Sequence, residues 1–154
     1  MSLHDLIDAD AIIASLKAST KKQALQEISE RASAVAGLPA REIFDSLLQR
    51  ERLGSTGVGG GIAIPHGKLT RVPRMLGVFA RLEKPIDFEA LDGEPVDLIC
   101  LLLAPESAGA DHLKALSRVA RALRDPGLTT RLRATKDASG LYLLLTQNPT
   151  HNAA

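Results

Sequence analysis

Cysteine is almost missing from this chain. A single one, Cys100, excludes an internal disulfide framework and suits a reducing compartment. It lies within VDLICLLLA, where a thiol reads as a small buried hydrophobe. Neither charge sign is in excess: 19 Lys+Arg face 18 Asp+Glu, a net charge of +1. That balance lacks the strongly basic face of a nucleic-acid-binding domain. No apolar run approaches the ~18 residues of a membrane span, and the opening MSLHDLIDAD is acidic where a signal peptide is basic. The histidines show no His-x-x-x-His or His-Glu-x-x-His spacing and have no cysteine near them, which speaks against a metal hydrolase. These absences lead to the expectation of a cytoplasmic domain with no membrane insertion, no nucleic-acid partner, no metal and no cofactor.

What the chain does have is apolar substance. Hydrophobic residues make up 45% of 154, enough for one compact domain, with a core over about residues 7–146 and a frayed tail over 147–154. Leu3 to Leu16 carries no decisive period, although AIIASLKA (11–18) is compatible with an edge strand. Thr20-Lys21-Lys22-Gln23 matches a capping box; Leu25, Ile28, Ala32 and Val35 mark one helical face, and Gly37 supplies the stop. A second helix is expected to take Pro39 as its first residue, bury Ile43, Phe44, Leu47 and Leu48, and end near Gly54. GIAIP, MLGVFARL (75–82) and VDLICLLLA (96–104) read as strands, the last covered on both faces, with Pro85 and the Asp92-Gly93 turn separating the longer two. A third helix over about 110–124 is expected to turn Leu113, Leu116, Val119, Ala120 and Leu123 inward, and short helical pieces follow at 128–133 and 138–145. The fold class is therefore α/β: a three-layer sandwich with a mixed β-sheet flanked by helices.

GSTGVGGGIAIPHGK (54–68) is the chemically informative stretch. Gly61 to Lys68 fails as a nucleotide P-loop, because its lysine follows Pro-His-Gly and Leu69 stands where Ser or Thr is needed. Gly57 to Gly61 fails as a dinucleotide fingerprint, because it follows a helix and leads into a strand. The reading that remains is a histidine beside a bed of backbone amides. Successive N–H groups in a glycine-rich turn can bind phosphate oxygens without a metal. A neutral imidazole can act as a nucleophile, and phosphoryl transfer depends mainly on alignment and electrostatics. Ser55, Thr56, the glycine amides, Lys68, Arg50 and Arg52 are all within reach in sequence.

REIFDSLLQRERLGSTGVGGGIAIPHGK closely resembles the phosphorylation-site region of the phosphotransferase-system enzyme IIA family of the mannitol, fructose and nitrogen-regulatory type. PIDFEALDGEPVDLICLLLAP is similar to that family's second block and DHLKALSRVARALRD to its third, so the resemblance covers about residues 7–145. It implies an α/β domain whose histidine forms a phosphohistidine by accepting phosphate from a histidine phosphocarrier protein. By position the acceptor is His66, phosphorylated on its distal (tele) nitrogen, with His112 the second active-site histidine and Arg50 the family arginine. Ser55, Thr56, Gly57 and Gly59 then fall where the phosphate is held. Gly60 departs from relatives that often carry a polar residue there. The short chain, the His66-Gly67-Lys68 ending and the KKQAL helix opening resemble the nitrogen-regulatory branch, whose members signal through their phosphorylation state.

Each assignment has a plainer competitor. A histidine at a strand–loop junction is more often structural; the flanking motif reverses that for His66. His112 at a helix start could simply bond a backbone group, though Leu116 and Val119 on its face place its ring at the core edge. Arg50 could be a solvated charge favourable to a helix C-terminus, and Lys68 a solvated lysine. His4 and His151 lie in terminal segments and receive no role. Leu53, Val58 and Ile62 are expected to offer exposed apolar area to the carrier. Two rival functions remain open at this point. One is a sugar-specific IIA relaying phosphate to a IIB transporter domain; the other is a module regulating a transporter or kinase by contact alone.

Overall fold

A computed structural model of the protein describes residues 2–147. The tail expected to fray lies outside the described residues beyond Gln147, and so does His151. The chain opens with an edge strand, β1 (Ile7–Leu16), which begins earlier than AIIASLKA suggests. Helix α1 (Lys21–Ala36) starts at its capping box. The Thr20 hydroxyl oxygen accepts the Gln23 N–H at 3.1 Å, while the Gln23 carboxamide accepts from Ser19 N–H at 2.8 Å. Gly37 ends it in the left-handed region at φ 73°. Helix α2 (Ala40–Arg52) places Pro39 at its N-cap, one residue before the expected position, because the extended ψ of 133° keeps that proline out of the helix.

The remaining strands are β2 (Gly57–Gly59), β3 (Ile62–Ala63), β4 (His66–Leu69), β5 (Leu76–Ile86) and β6 (Val96–Pro105). They form one sheet in the order β1-β5-β6-β3-β2, with β4 also paired to β6. The sheet is mixed: β1 runs parallel to β5, β5 antiparallel to β6, and β3 and β4 parallel to β6. Pro85 does not end β5, which continues to Ile86. The register shifts between Arg81 and Ile86, and such an irregularity accommodates a proline that cannot donate to the ladder. β6 is buried from Leu98 to Ala104 without alternation, so helices cover both faces of the sheet. α1 and α2 pack on each other and reach β1, β5 and β4; α3 (Ala110–Leu123), α4 (Pro126–Ala134) and α5 (Ala138–Thr146) pack in succession, α3 against β6 and α5 against β1. No helix among the described residues is long and apolar enough to cross a membrane.

Two packing details decide where the functional side chains point. α2 lies directly on β4, burying Ile43 and Leu47, each worth ~1.5–3 kcal/mol of apolar burial. The approach is close: a Cβ on Gly67 would sit 2.5 Å from the Ser46 hydroxyl oxygen. Ser46 is one helical turn before Arg50, so this glycine lets α2 bring Arg50 down beside His66. In α3 the inward face consists of His112, Ala115, Val119, Ala122 and Leu123. Leu113 was expected on that face but is 68% exposed. One residue along a helix is a rotation of ~100°, and His112 occupies the inward position instead.

Candidate functional site

His66 is the first residue of β4, opposite Leu102 of β6, and is half-buried. Pro65 precedes it, and the Pro65 carbonyl accepts the Leu102 N–H at 2.9 Å, so the strand resumes at the histidine. Its Nδ1 lies 2.9 Å from the Ile64 carbonyl oxygen. A carbonyl can only accept, so the proton resides on Nδ1 and the lone pair on Nε2. Arg50 Nε donates to that Nε2 at 3.2 Å, and Arg50 Nη1 donates to the Gly54 carbonyl at 2.8 Å. Burial first, and then the Arg50 charge, holds the His66 pKa below its ordinary value, although the Ile64 bond and Glu51 oppose this. The ring is therefore neutral near pH 7, with a nucleophilic nitrogen facing a cation.

His112 enters from the first turn of α3. The two imidazoles meet edge to face, with centroids 5.7 Å apart and planes at 68°. His112 is 7% exposed, and its Nε2 is buried with no hydrogen-bond partner among the described residues. Leaving such a group unsatisfied costs ~1–3 kcal/mol, so this nitrogen is available to bond an oxygen placed beside His66. Burial is the main cause that lowers the His112 pKa, followed by the neighbouring His66 and Lys68. Lys68 thus acts on His112 while remaining exposed. Among the described residues no group of three or more His, Cys, Asp or Glu side chains is placed to hold a metal ion.

The glycine-rich stretch does something different from the expected cradle. Gly59, Gly60 and Gly61 all have positive φ and make the tight hairpin between β2 and β3. Gly57 has no room for a side chain, since a Cβ would meet Ala90 Cβ at 2.8 Å and Ala90 Cα at 2.9 Å. The amides are largely committed within the chain. Thr56 N–H donates to Glu51 at 3.0 Å, Gly57 N–H to the Ser55 hydroxyl at 3.0 Å, and Gly60 N–H to Asp92 at 3.0 Å. Ser55 in turn donates to the Phe88 carbonyl at 2.7 Å, and Thr56 is 3% exposed. The structure therefore brings His66, His112 and Arg50 together, while Ser55, Gly57 and Gly59 face Phe88, Ala90 and Asp92, and Thr56 reaches His66 only through Ile64. Of the apolar residues expected at the rim, Leu53 is 84% exposed and Val58 is exposed as well. Ile62 is buried instead, because β3 is flanked by β2 and β6 within the sheet. Ile64, whose carbonyl meets His66, and Glu51, buried against Thr56 behind it, were not singled out by sequence; an acid directly after the motif arginine was the available signal.

Comparison with known proteins identifies the family. Residues 5–148 match the family model described as phosphoenolpyruvate-dependent sugar phosphotransferase system, EIIA 2. The nitrogen regulatory protein of Bradyrhizobium diazoefficiens is 54% identical over 149 residues, covering 97% of each chain. The crystal structure of nitrogen regulatory protein IIA-Ntr from Neisseria meningitidis superposes with a TM-score of 0.87 at 34% identity, covering 92% of this chain and 97% of that one. IIA mannitol from Escherichia coli gives a TM-score of 0.75 at 26% identity, over 90% of this chain and 97% of that one. The chain belongs to the EIIA 2 family of the phosphoenolpyruvate-dependent phosphotransferase system, and within it is most like the nitrogen regulatory proteins.

Proposed function

We propose that the protein accepts a phosphoryl group on Nε2 of His66 from a histidine phosphocarrier protein and signals by its phosphorylation state, as a cytoplasmic regulatory member of its family. The observation that carries this reading is the His66 ring itself, with Nδ1–H tied to the Ile64 carbonyl and Nε2 left as the basic nitrogen. A P–N bond forms at Nε2 while the P–N bond on the carrier's histidine breaks, and that bond's electron pair returns to the carrier. The transition state is loose and anionic, so alignment and positive charge supply most of the catalysis. Arg50 holds the Nε2 lone pair in the resting protein; it turns from that nitrogen to the phosphoryl oxygens while its other arm stays on the Gly54 carbonyl. The unpartnered Nε2 of His112 takes up a phosphoryl oxygen as a donor. With the Ser55 hydroxyl and the Thr56 and Gly57 amides engaged within the chain, Arg50 and His112 carry most of the contact with the phosphate. Leu53 and Val58, with Leu113 beside His112, form the exposed apolar rim on which the carrier rests briefly.

Support for the regulatory branch comes from likeness to nitrogen regulatory proteins over nearly the full chain. Incubation with phosphoenolpyruvate, enzyme I and the phosphocarrier, followed by intact-mass measurement, tests the chemistry. One added phosphoryl group, lost on acid treatment and not formed by His66→Gln, is the expected outcome. Onward transfer to a fructose- or mannitol-type IIB domain would instead identify a sugar-specific component.

A further inference from the structure

Glu51 is an unusual residue to find buried at the end of a helix. It lies in the last turn of α2, next to Arg50, with its side chain only 3% exposed. A carboxylate so placed must be paired and hydrogen-bonded to be tolerated. It is both. Lys21, the first residue of α1, brings its ammonium to 2.8 Å from Oε1. The same Oε1 accepts the Thr56 N–H at 3.0 Å, and Oε2 accepts the Thr56 hydroxyl. Lys21 is itself held against the Phe88 ring, 5.0 Å from its centroid.

Thr56 does not end the chain of contacts. Its carbonyl accepts the Ile64 N–H at 3.0 Å, across the hairpin. The Ile64 carbonyl is the group that accepts His66 Nδ1–H. Glu51 therefore fixes Thr56, Thr56 fixes Ile64, and Ile64 fixes which imidazole nitrogen carries the proton. Arg50, the neighbour of Glu51 on the same helical turn, meets the other nitrogen. Both ends of the ring are thus referred to one point on α2.

Given the reading of His66 as phosphoryl acceptor, on which this assignment rests, we propose that Glu51, clamped by Lys21, is a positioning residue for transfer: through Thr56 and Ile64 it keeps the proton of His66 on Nδ1 and the reactive lone pair on Nε2. It touches neither the phosphoryl group nor the imidazole. Its effect is on orientation and tautomer, and a misplacement of ~1 Å in a reacting group costs up to ~100-fold in rate.

The test uses Glu51→Gln, Thr56→Val and Thr56→Ser in the full chain. Thr56→Val is nearly isosteric and removes only the hydroxyl, so it decides the matter if Glu51→Gln does not fold. Long-range proton–nitrogen spectra of the free protein, above the His66 pKa, report the tautomer without any phosphodonor. Glu51→Gln and Thr56→Val should lower the share of the Nδ1–H form, which Arg50's donation to Nε2 then supports alone. Single-turnover transfer should slow ~10-fold or more in both, with the carrier concentration at half-maximal rate unchanged. Thr56→Ser should restore tautomer and rate. The double variant should be slower by less than the product of the single effects, because the two groups act as one unit. Wild-type tautomer and rate in Thr56→Val would overturn the assignment, and so would a Thr56→Ser variant as impaired as Thr56→Val. Failure of the wild-type protein to accept phosphate would sink the acceptor reading instead, leaving the tautomer spectra to judge Glu51 separately.

Discussion

Replacing Arg50 with alanine separates a phosphate-facing cation from a solvated helix-end charge. Its Nε lies 3.2 Å from His66 Nε2, and its Nη1 is anchored 2.8 Å from the Gly54 carbonyl, so the guanidinium is already positioned over the attacking nitrogen. A hydrogen bond to a charged group contributes ~1.5–3 kcal/mol, and ~1.4 kcal/mol is a factor of ten in rate. Arg50→Ala should accordingly slow single-turnover transfer from pre-phosphorylated carrier by between ~10- and ~150-fold. Part of that loss is long-range. The screening length falls from ~10 Å at 0.1 M salt to ~3 Å at 1 M, so the gap between variant and wild type should narrow at high salt without closing. Arg50→Lys keeps the charge but loses the planar fork and should recover only part of the rate. His112→Ala should show a gap that salt hardly changes, with substantial phosphorylation given excess carrier and time. Removing the Arg50 charge should also let the His66 pKa rise, though burial, the larger cause, keeps it below its ordinary value. Rapid quench of the four proteins at two ionic strengths measures the rates, and an NMR pH titration of the His66 ring measures its pKa. An Arg50→Ala variant that transfers at the wild-type rate at both would refute the reasoning.

His112→Leu should stabilise the resting protein by ~1–2 kcal/mol, because it removes a buried nitrogen without a partner, yet transfer should slow; denaturant midpoints and transfer rates together check this, and a destabilised variant would contradict it. Gly57→Ala should cost ~1–3 kcal/mol, since the new methyl meets Ala90 backbone and side chain with nowhere to rotate, and thermal melting measures it. Acid should weaken the fold early. Burial leads the causes holding both imidazoles below 6.5, so the unfolded chain takes up protons there that the folded chain refuses. That stability is fully present above the unfolded value and is lost as pH falls through it toward the folded one. Denaturant midpoints across this window should slope in the wild type and flatten when His66→Gln and His112→Leu are combined. Transfer from the carrier should be insensitive to chelator once enzyme I is excluded from the assay; a large slowdown would count against alignment by Arg50 and the two imidazoles alone.

Local signals were the legible ones. Thr20 and Gly37 act on their own backbone neighbourhood, so the bounds of α1 could be read directly from them. The unbroken apolar run of β6 declared a strand with both faces covered. The proposed role of His66 rests on the long motif around it, and the fold sets that histidine beside His112 and Arg50. Leu113 misled because apolar periodicity counts leucines, and a histidine on the inward stripe shifts the phase by one residue. Glycine density was ambiguous for a related reason. It signals positive φ and close approach, but not whether the amides face a ligand or the protein. Asp92, which claims the Gly60 amide, and Ala90, which crowds Gly57, come from some thirty residues further along the chain. Pro85 marked a true disturbance in β5 but not its end. The partnership of Glu51 with Lys21 joins the start of one helix to the end of the next, and no local pattern announces it.

The phosphorylated nitrogen is the most direct test of the whole account. Nitrogen NMR of the phosphorylated, histidine-labelled protein identifies both the residue and the ring atom. The geometry predicts one phosphoryl group per chain on Nε2 of His66, because Ile64 occupies Nδ1. A phosphoryl group on Nδ1 of His66, on His112, or on neither ring after incubation with phosphorylated carrier would contradict it.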